Sequence, residues 1–357
     1  MQVQVPITIT GWSADEPQPG LVRCTLVDAH DVAHAFVDKV AVVTDAPLDA
    51  RAAYPQPGVI AATVVGTDGA LRVDPTIPWG LELPIVEVDR VALGAVTVYL
   101  PDASEPACWC STDLAALFGV ATSADAVTRL REAWRQRGRG RLDLDAEADA
   151  VLVRAGKDAI ITAVVLIHEL AGRALDAGVV DDTRRALRAY RRPAARPWRV
   201  GDVFTIPLPD GSSGFGQVLW EDTFAAGSGV RAPTCALLDH RATGGVPELL
   251  ELVTAPTVAI LHVASRHLDR GTWRVVGNHP PVDDPFAGPH GRPGTPGAVS
   301  WDGLEVLAAA WFGLTPWNAW AVPYERSLLP GRRPASPWLL SEADVARWRA
   351  GERLTRR

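Results

Sequence analysis

From Val3 to Leu100 the apolar residues recur in short alternating runs, and no stretch keeps helical spacing for more than a turn. Alternation is the signature of strands with one buried face. It predicts strands at Val3–Thr10, Leu21–Val27, His34–Val43, Val59–Val65, Leu81–Val88 and Val91–Leu100. Proline and glycine separate them, as in Pro17-Gln18-Pro19-Gly20 and Tyr54-Pro55-Gln56-Pro57-Gly58. Many short strands in antiparallel order predict a small barrel or sandwich over residues 1–105.

Pro101–Ala107 reads as a linker, and beyond it the apolar period becomes that of a helix. In Ser123–Arg137, Val127, Leu130 and Trp134 share a face, with Ser123 as the expected N-cap and Gly138 as the stop. Arg141–Arg154 reads as a hairpin turning at Asp145–Asp149. Lys157–Asp176 is expected as a long helix burying Ile160, Ile161, Val164, Ile167, His168 and Ala171, and Asp181–Tyr190 as a shorter one. Residues 111–192 therefore form an expected α/β module with an Arg-rich last helix. Pro193 and Pro197 mark a second linker.

A second antiparallel β-domain opens at Gly201. Val203–Leu208 and Phe215–Trp220 are rich in β-branched and aromatic residues, and Asp210-Gly211-Ser212-Ser213-Gly214 between them has hairpin-turn composition. Pro207 and Pro209 lack amide donors, so the first strand should lie at a sheet edge or end there. Further strands are expected at Cys235–Leu238, Glu248–Val253, Thr257–Val263 and Thr272–Val276. After a loop at Pro280–Pro296 comes a helical tail. One helix is capped by Ser300 and carries Leu304, Leu307, Ala308 and Trp311 on one face; the last is capped by Ser341 and Asp344. The fold class expected is thus α+β and multidomain, with divisions at 1–105, 111–192 and 196–357. A chain of 357 residues exceeds the size at which single cores divide.

Gly201-Asp202-Val203-Phe204, Ile206-Pro207-Leu208, Asp210-Gly211 and Gly214-Phe215-Gly216-Gln217-Val218-Leu219 resemble the immunity protein 26 family of bacterial polymorphic toxin systems. Gly271-Thr272-Trp273-Arg274-Val275-Val276-Gly277-Asn278-His279-Pro280 is similar to a later segment of that family. The likeness covers residues 196–287, about a quarter of the chain. It implies a non-catalytic immunity protein that binds and neutralises a cognate toxin domain.

Composition agrees with a soluble protein, at 47% hydrophobic and 22% charged residues. The net charge of −7 is uneven: residues 1–110 hold 5 basic and 14 acidic side chains, and residues 111–199 hold 16 and 12. An acidic N-terminal field disfavours nucleic acid and attracts a basic protein partner. Four scattered cysteines do not make a disulfide framework and point to a reducing compartment. The first twenty residues lack the order of a secretory signal. The longest apolar stretch, Ala159–Ile167, is about half of what spans a bilayer. A cytoplasmic protein without membrane contact is expected.

Catalytic signatures are incomplete. The glycine-rich loop at Ser212-Ser213 runs into a strand, whereas a phosphate loop must open onto a helix. Gly227-Ser228-Gly229 has the same defect. His168-Glu169 is half of a His-Glu-x-x-His motif, but position 172 is Gly172. Cys108-Trp109-Cys110 has no second cysteine pair to complete a zinc site. Asp28 with Asp31, Asp143 with Asp145, Glu221 with Asp222 and Asp283 with Asp284 sit in polar, turn-like contexts rather than the apolar ones that raise a catalytic carboxyl's pKa. No catalytic residue, metal ligand or cofactor is assigned.

What stands out is tryptophan, thirteen against four tyrosines. Trp198, Trp220 and Trp273 bracket the second β-domain, and six more crowd the last 57 residues. Tryptophan fills cores and leads among interface anchors. Trp220, followed by Glu221, Asp222 and Phe224, has the form of an aromatic anchor flanked by acids, suited to a basic cleft. Asp15 and Glu16 extend the candidate contact set into the acidic N-terminal domain. Two other readings stay open: nucleic-acid binding through the seven arginines from Arg184 to Arg199, and a small hydrolase using His262 and His267.

Overall fold

The opening strand, β1 (Gln2–Ala14), organises the first half of the molecule. It buries Val3, Val5, Ile7 and Ile9 and faces the intervening residues away from the core. It has three antiparallel partners: Gln2–Ile9 pairs with Gln56–Thr63, Thr8–Ala14 pairs with Leu21–Thr25 across two irregularities in register, and Gln4 lies opposite Ala92. Such bulges bend a strand and let it serve two sheet regions at once.

In the computed structural model the described residues are 1–30, 32–77, 83–223, 231–281, 283–284, 303–319, 324–349, 354 and 356. The chain divides into two compact units, Met1–Ala194 and Ala195–Arg357. Within the first unit β1 is followed by β2 (Leu21–Val27), β3 (Ala33–Lys39), α1 (Val40–Val43), β4 (Gln56–Gly66), β5 (Leu71–Pro75), β6 (Val86–Val88), β7 (Arg90–Leu93) and β8 (Val96–Tyr99). Then come β9 (Cys108–Thr112), α2 (Leu114–Phe118), α3 (Ser123–Arg137), β10 (Leu142–Ala146), β11 (Val151–Ala155), α4 (Lys157–Leu170) and α5 (Ala177–Ala189). The strands form one antiparallel sheet of order β10-β11-β9-β8-β7-β1-β4-β5-β6, with β2 and β3 branching from β1.

That order corrects the expected break between residues 105 and 111. Tyr99 on β8 lies opposite Trp109 on β9, and their rings stack with centroids 4.0 Å apart. β9 pairs in turn with β11 from Cys108 to Thr112. Pro101–Ala107 is a turn, held by Asp102, whose Oδ1 accepts from the amides of Ser104 and Glu105. One core runs from Val3 to Tyr190. The expected β-domain and α/β module are therefore parts of one unit.

Smaller differences have local causes. The strand expected at His34–Val43 ends at Lys39, and Val40–Val43 is a single helical turn. Val91–Leu100 is a hairpin, because Gly94 takes φ +59° and reverses the chain between β7 and β8. The helix expected to reach Asp176 stops at Leu170. Asp176 instead caps α5, its Oδ1 accepting from the Val179 amide at 2.9 Å. The N-cap of α3 is Thr122 and not Ser123, with Thr122 Oγ1 accepting from the Asp125 amide at 3.1 Å.

The second unit holds β12 (Asp202–Pro207), β13 (Ser213–Thr223), β14 (Arg231–Ala242), α6 (Leu249–Thr254), β15 (Thr257–His262), α7 (Arg266–Arg270), β16 (Val275–Asn278), α8 (Gly303–Trp311) and α9 (Glu342–Arg349). Its antiparallel sheet has the order β15-β14-β13-β12-β16. Both faces are covered. Phe204, Ile206, Val218, Leu237 and Leu261 pack with Leu304, Leu307 and Trp311 of α8, while Val203, Phe215, Ala236 and Ile260 pack with Leu252 of α6. Double burial explains why these strands read as nearly continuous apolar runs.

The expected hairpin is present: Pro207 lies opposite Ser213, and Gly211 takes φ +82° in the turn. β12 is not an edge strand, since β16 pairs with its first residues, Asp202 to Phe204. Pro207 lies beyond that pairing and ends the strand, so its missing amide breaks no ladder. Glu248–Val253, expected as a strand, is the short helix α6. Ser341 caps α9 as expected, its Oγ accepting from the Asp344 amide at 3.2 Å and donating to Asp344 Oδ2 at 2.9 Å. Ser300 lies outside the described residues. The two antiparallel sheets with their packed helices make the fold α+β.

Candidate functional site

Trp220 sits near the end of β13, where the sheet loses its regular register. Val218 lies opposite Cys235, but Trp220 lies opposite Thr234, so Leu219 is an extra residue in the strand. Val218 and Leu219 are consecutive and both buried, one in each apolar layer. The bulge resets the alternation beyond it and leaves Trp220 45% exposed. By contrast Trp198, Trp273, Trp311, Trp317 and Trp338 are each less than a tenth exposed.

The neighbours expected with Trp220 are placed unevenly. Glu221 is half-buried opposite Pro233. Asp222, next on β13, lies opposite Ala232 of β14. Phe224, Gly227, Ser228 and Gly229 lie outside the described residues. Asp15 and Glu16 belong to the other unit, following the end of β1. There Asp15 Oδ1 accepts from Trp12 Nε1 at 3.0 Å, and Glu16 Oε2 accepts from the Gln18 amide at 3.2 Å. The candidate contacts thus fall on two units.

The two candidate catalytic histidines have structural neighbours. His262 is buried, with Nδ1 2.7 Å from the Thr234 hydroxyl across the β14–β15 pair. His267 lies on α7, stacked on Trp273 with ring centroids 4.9 Å apart, and its Nδ1 is 3.6 Å from Glu305 Oε1. The same carboxylate oxygen accepts from Trp273 Nε1 at 2.7 Å. Asp269 is buried and accepts from Trp198 Nε1 at 2.8 Å and from the Ser265 hydroxyl. Sequence reasoning missed Glu305 as the acid facing His267. Only its position in the first turn of α8, among apolar neighbours, marked it out.

The other candidates resolve into packing and turn chemistry. His168 is buried; Nδ1 donates to the Val164 carbonyl at 3.0 Å, and Nε2 accepts from the Ala95 amide at 3.1 Å. Burial lowers its pKa, and the bond accepted by Nε2 from the Ala95 amide requires the neutral ring. All four cysteines are free and buried. Burial pushes the Cys24, Cys108 and Cys110 thiols up to about 12, which leaves them poor nucleophiles and poor metal ligands. No group of three or more metal-ligating side chains occurs among the described residues.

The carboxylate pairs serve turns and strands. Asp28 accepts from the amides of His30 and Val32 at 2.8 and 2.9 Å and from His34 Nε2 at 2.9 Å. Asp31 lies outside the described residues. Asp143, on β10, meets Arg141 Nε at 2.8 Å. Asp283 accepts from the Thr257 hydroxyl, and Asp284 is exposed. Ser212 is held in its turn by Asp210 and accepts from Arg241 Nε at 2.8 Å. The seven arginines are split by the boundary between the units: Arg184, Arg185 and Arg188 lie on α5, with Arg191 and Arg192 just after it, while Arg196 and Arg199 belong to the second unit.

No described helix is long and apolar enough to cross a membrane. Compared with protein-family models, with curated proteins and with solved structures, the chain matches none.

Proposed function

We propose that this chain is a cytoplasmic immunity protein that binds a cognate bacterial toxin domain and neutralises it by covering the toxin's active cleft. The reading rests on the likeness of residues 196–287 to the immunity protein 26 family. The observation that carries it further is Trp220, a large aromatic turned outward by a strand bulge in a unit whose other described tryptophans are mostly packed. An aromatic anchor beside Glu221 and Asp222 suits a toxin cleft lined by basic residues.

Such a protein needs no chemistry of its own. Occlusion is stoichiometric, and affinity replaces turnover. The acidic surplus of residues 1–110, Asp15 and Glu16 included, supplies a field that draws a basic partner toward the molecule before contact.

The test is co-expression with a candidate toxin domain from a neighbouring gene. The chain should restore growth to cells making that toxin, and Trp220→Ala should restore less. Failure of the wild-type chain to protect would sink the immunity reading; equal protection by both would remove Trp220 from the contact.

A further inference from the structure

The first unit carries a basic depression that toxin occlusion does not use. Three helices build it. The end of α3 and the turn beyond it supply Arg137 and Arg139, the first turns of α4 supply Asp158 and Thr162, and α5 supplies Arg184, Arg185 and Arg188. The cavity measures about 560 Å³ and is open to solvent. That volume lies within the range of small-molecule sites.

Five guanidinium groups line it with the carboxylates of Asp158 and Asp181, and Asp182 and Glu169 pair with two of the arginines from outside the lining, so five positive charges face four negative ones. Arginine stays protonated in proteins, so the surplus does not titrate away. Four of the five are oriented by ion pairs: Arg188 Nε meets Asp158 Oδ1 at 2.7 Å, Arg184 Nη1 meets Asp181 Oδ1 at 2.9 Å, and Arg185 and Arg137 pair with Asp182 and Glu169. Each of these pairs engages one nitrogen of a group that carries five N–H donors. Arg139 has no ion-pair partner among the described residues. The carboxylates therefore fix where the forks point while leaving donors for a ligand.

We propose that this depression binds a compact, multiply charged phosphate group, a diphosphate or triphosphate. Converging arginine forks match phosphate oxygens in geometry and charge. The group arrives either free or carried on a nucleoside. Among the described residues the lining has no aromatic ring on which a base could stack, so the phosphates supply the recognition. A nucleic-acid backbone fits less well for the same reason.

The test is calorimetric titration of the full chain with tripolyphosphate, ATP, adenosine and a short DNA duplex at two salt concentrations. Tripolyphosphate and ATP should bind at one site with affinities within about threefold of each other, adenosine should not bind, and affinity should fall as salt rises. The exposed double variant Arg139→Gln/Arg185→Gln should lose about tenfold or more, consistent with removing two charge-assisted contacts. Arg135→Gln, exposed on α3 but outside the lining, should bind like the wild type. Absence of tripolyphosphate binding at millimolar concentration, binding of the duplex alone, or an unchanged affinity in the double variant would each overturn the proposal.

Discussion

Trp198 and Asp269, 71 residues apart, are joined in the second unit by a 2.8 Å hydrogen bond from the indole Nε1 to Oδ1. Both are buried. The backbone repeats the link, since the Arg196 amide donates to the Asp269 carbonyl at 2.9 Å. The segment leading into β12 is thereby fastened to α7, and the other carboxylate oxygen of Asp269 is occupied by the Ser265 hydroxyl.

Trp198→Phe removes the N–H and also shrinks the bicyclic indole to a single ring in a buried site. It should destabilise the second unit by about 2 kcal/mol or more, the lost bond to the Asp269 carboxylate together with the small cavity left behind. Asp269→Ala should cost more, because both Trp198 and Ser265 lose their acceptor. Urea titration of the two variants gives the comparison.

Asp38 is fully buried on β3, with one oxygen accepting from the Lys39 amide and Oδ2 without a hydrogen-bond partner among the described residues. Burial raises its pKa above 3.8. The folded state then binds the proton more tightly than the unfolded chain. Its stabilising effect is complete below pH 3.8 and is lost as pH rises through the folded value. Asp38→Asn keeps the acceptor for Lys39 and removes the charge, so at pH 8 it should raise stability by on the order of 1 kcal/mol. Thermal melts at acid and alkaline pH should show the gain shrinking toward acid.

His168 works in the opposite sense. Its folded pKa is lowered below 6.5, so the unfolded chain takes up the proton first. Its contribution is complete above pH 6.5 and is lost as pH falls toward the folded value. A hydrophobic replacement such as His168→Leu should lower stability at pH 8 and flatten the slope below pH 6.5. Gly94→Ala attacks the same contact from the other side: a methyl there would lie 2.5 Å from His168 Nε2 on a backbone of φ +59°. It should destabilise the first unit by about 1–3 kcal/mol, from strain and from crowding that bond.

If the acidic field of residues 1–110 steers a basic toxin, the association rate should fall steeply with ionic strength while dissociation changes little. Stopped-flow mixing at low and high salt measures both. Asp15→Asn/Glu16→Gln should lower the low-salt rate. A rate independent of salt would remove steering from the mechanism.

Much of the local structure was legible because sequence period and burial agree. β2 spans Leu21–Val27 and α3 spans Ser123–Arg137 as expected, since alternation defines one and the Val127, Leu130, Trp134 face with Gly138 defines the other. The Asp210-Gly211 turn was equally plain. Glu248–Val253 was not, because a short apolar run has no period that separates strand from helix. Leu71–Pro75 escaped because it is brief and ends in Asp74-Pro75. Proline and acid clusters made Pro101–Ala107 look like a linker. Only the non-local pairing of Tyr99 with Trp109 shows otherwise. Trp220 was legible as a candidate from its acidic neighbours, but its exposure depends on a bulge that local spacing does not encode. The convergence of Arg137 and Arg139 with the α5 arginines likewise needed the packing of three helices.

The proposed immunity function turns on Trp220 as the anchor in the contact with the toxin. The most direct measurement is the equilibrium affinity of the full chain and of Trp220→Ala for a purified candidate toxin domain from a neighbouring gene. A one-to-one complex is expected, weakened by the substitution by about thirtyfold or more, the equivalent of about 2 kcal/mol for a lost anchor. A wild-type chain that forms no complex, or a variant that binds as tightly as the wild type, would contradict it.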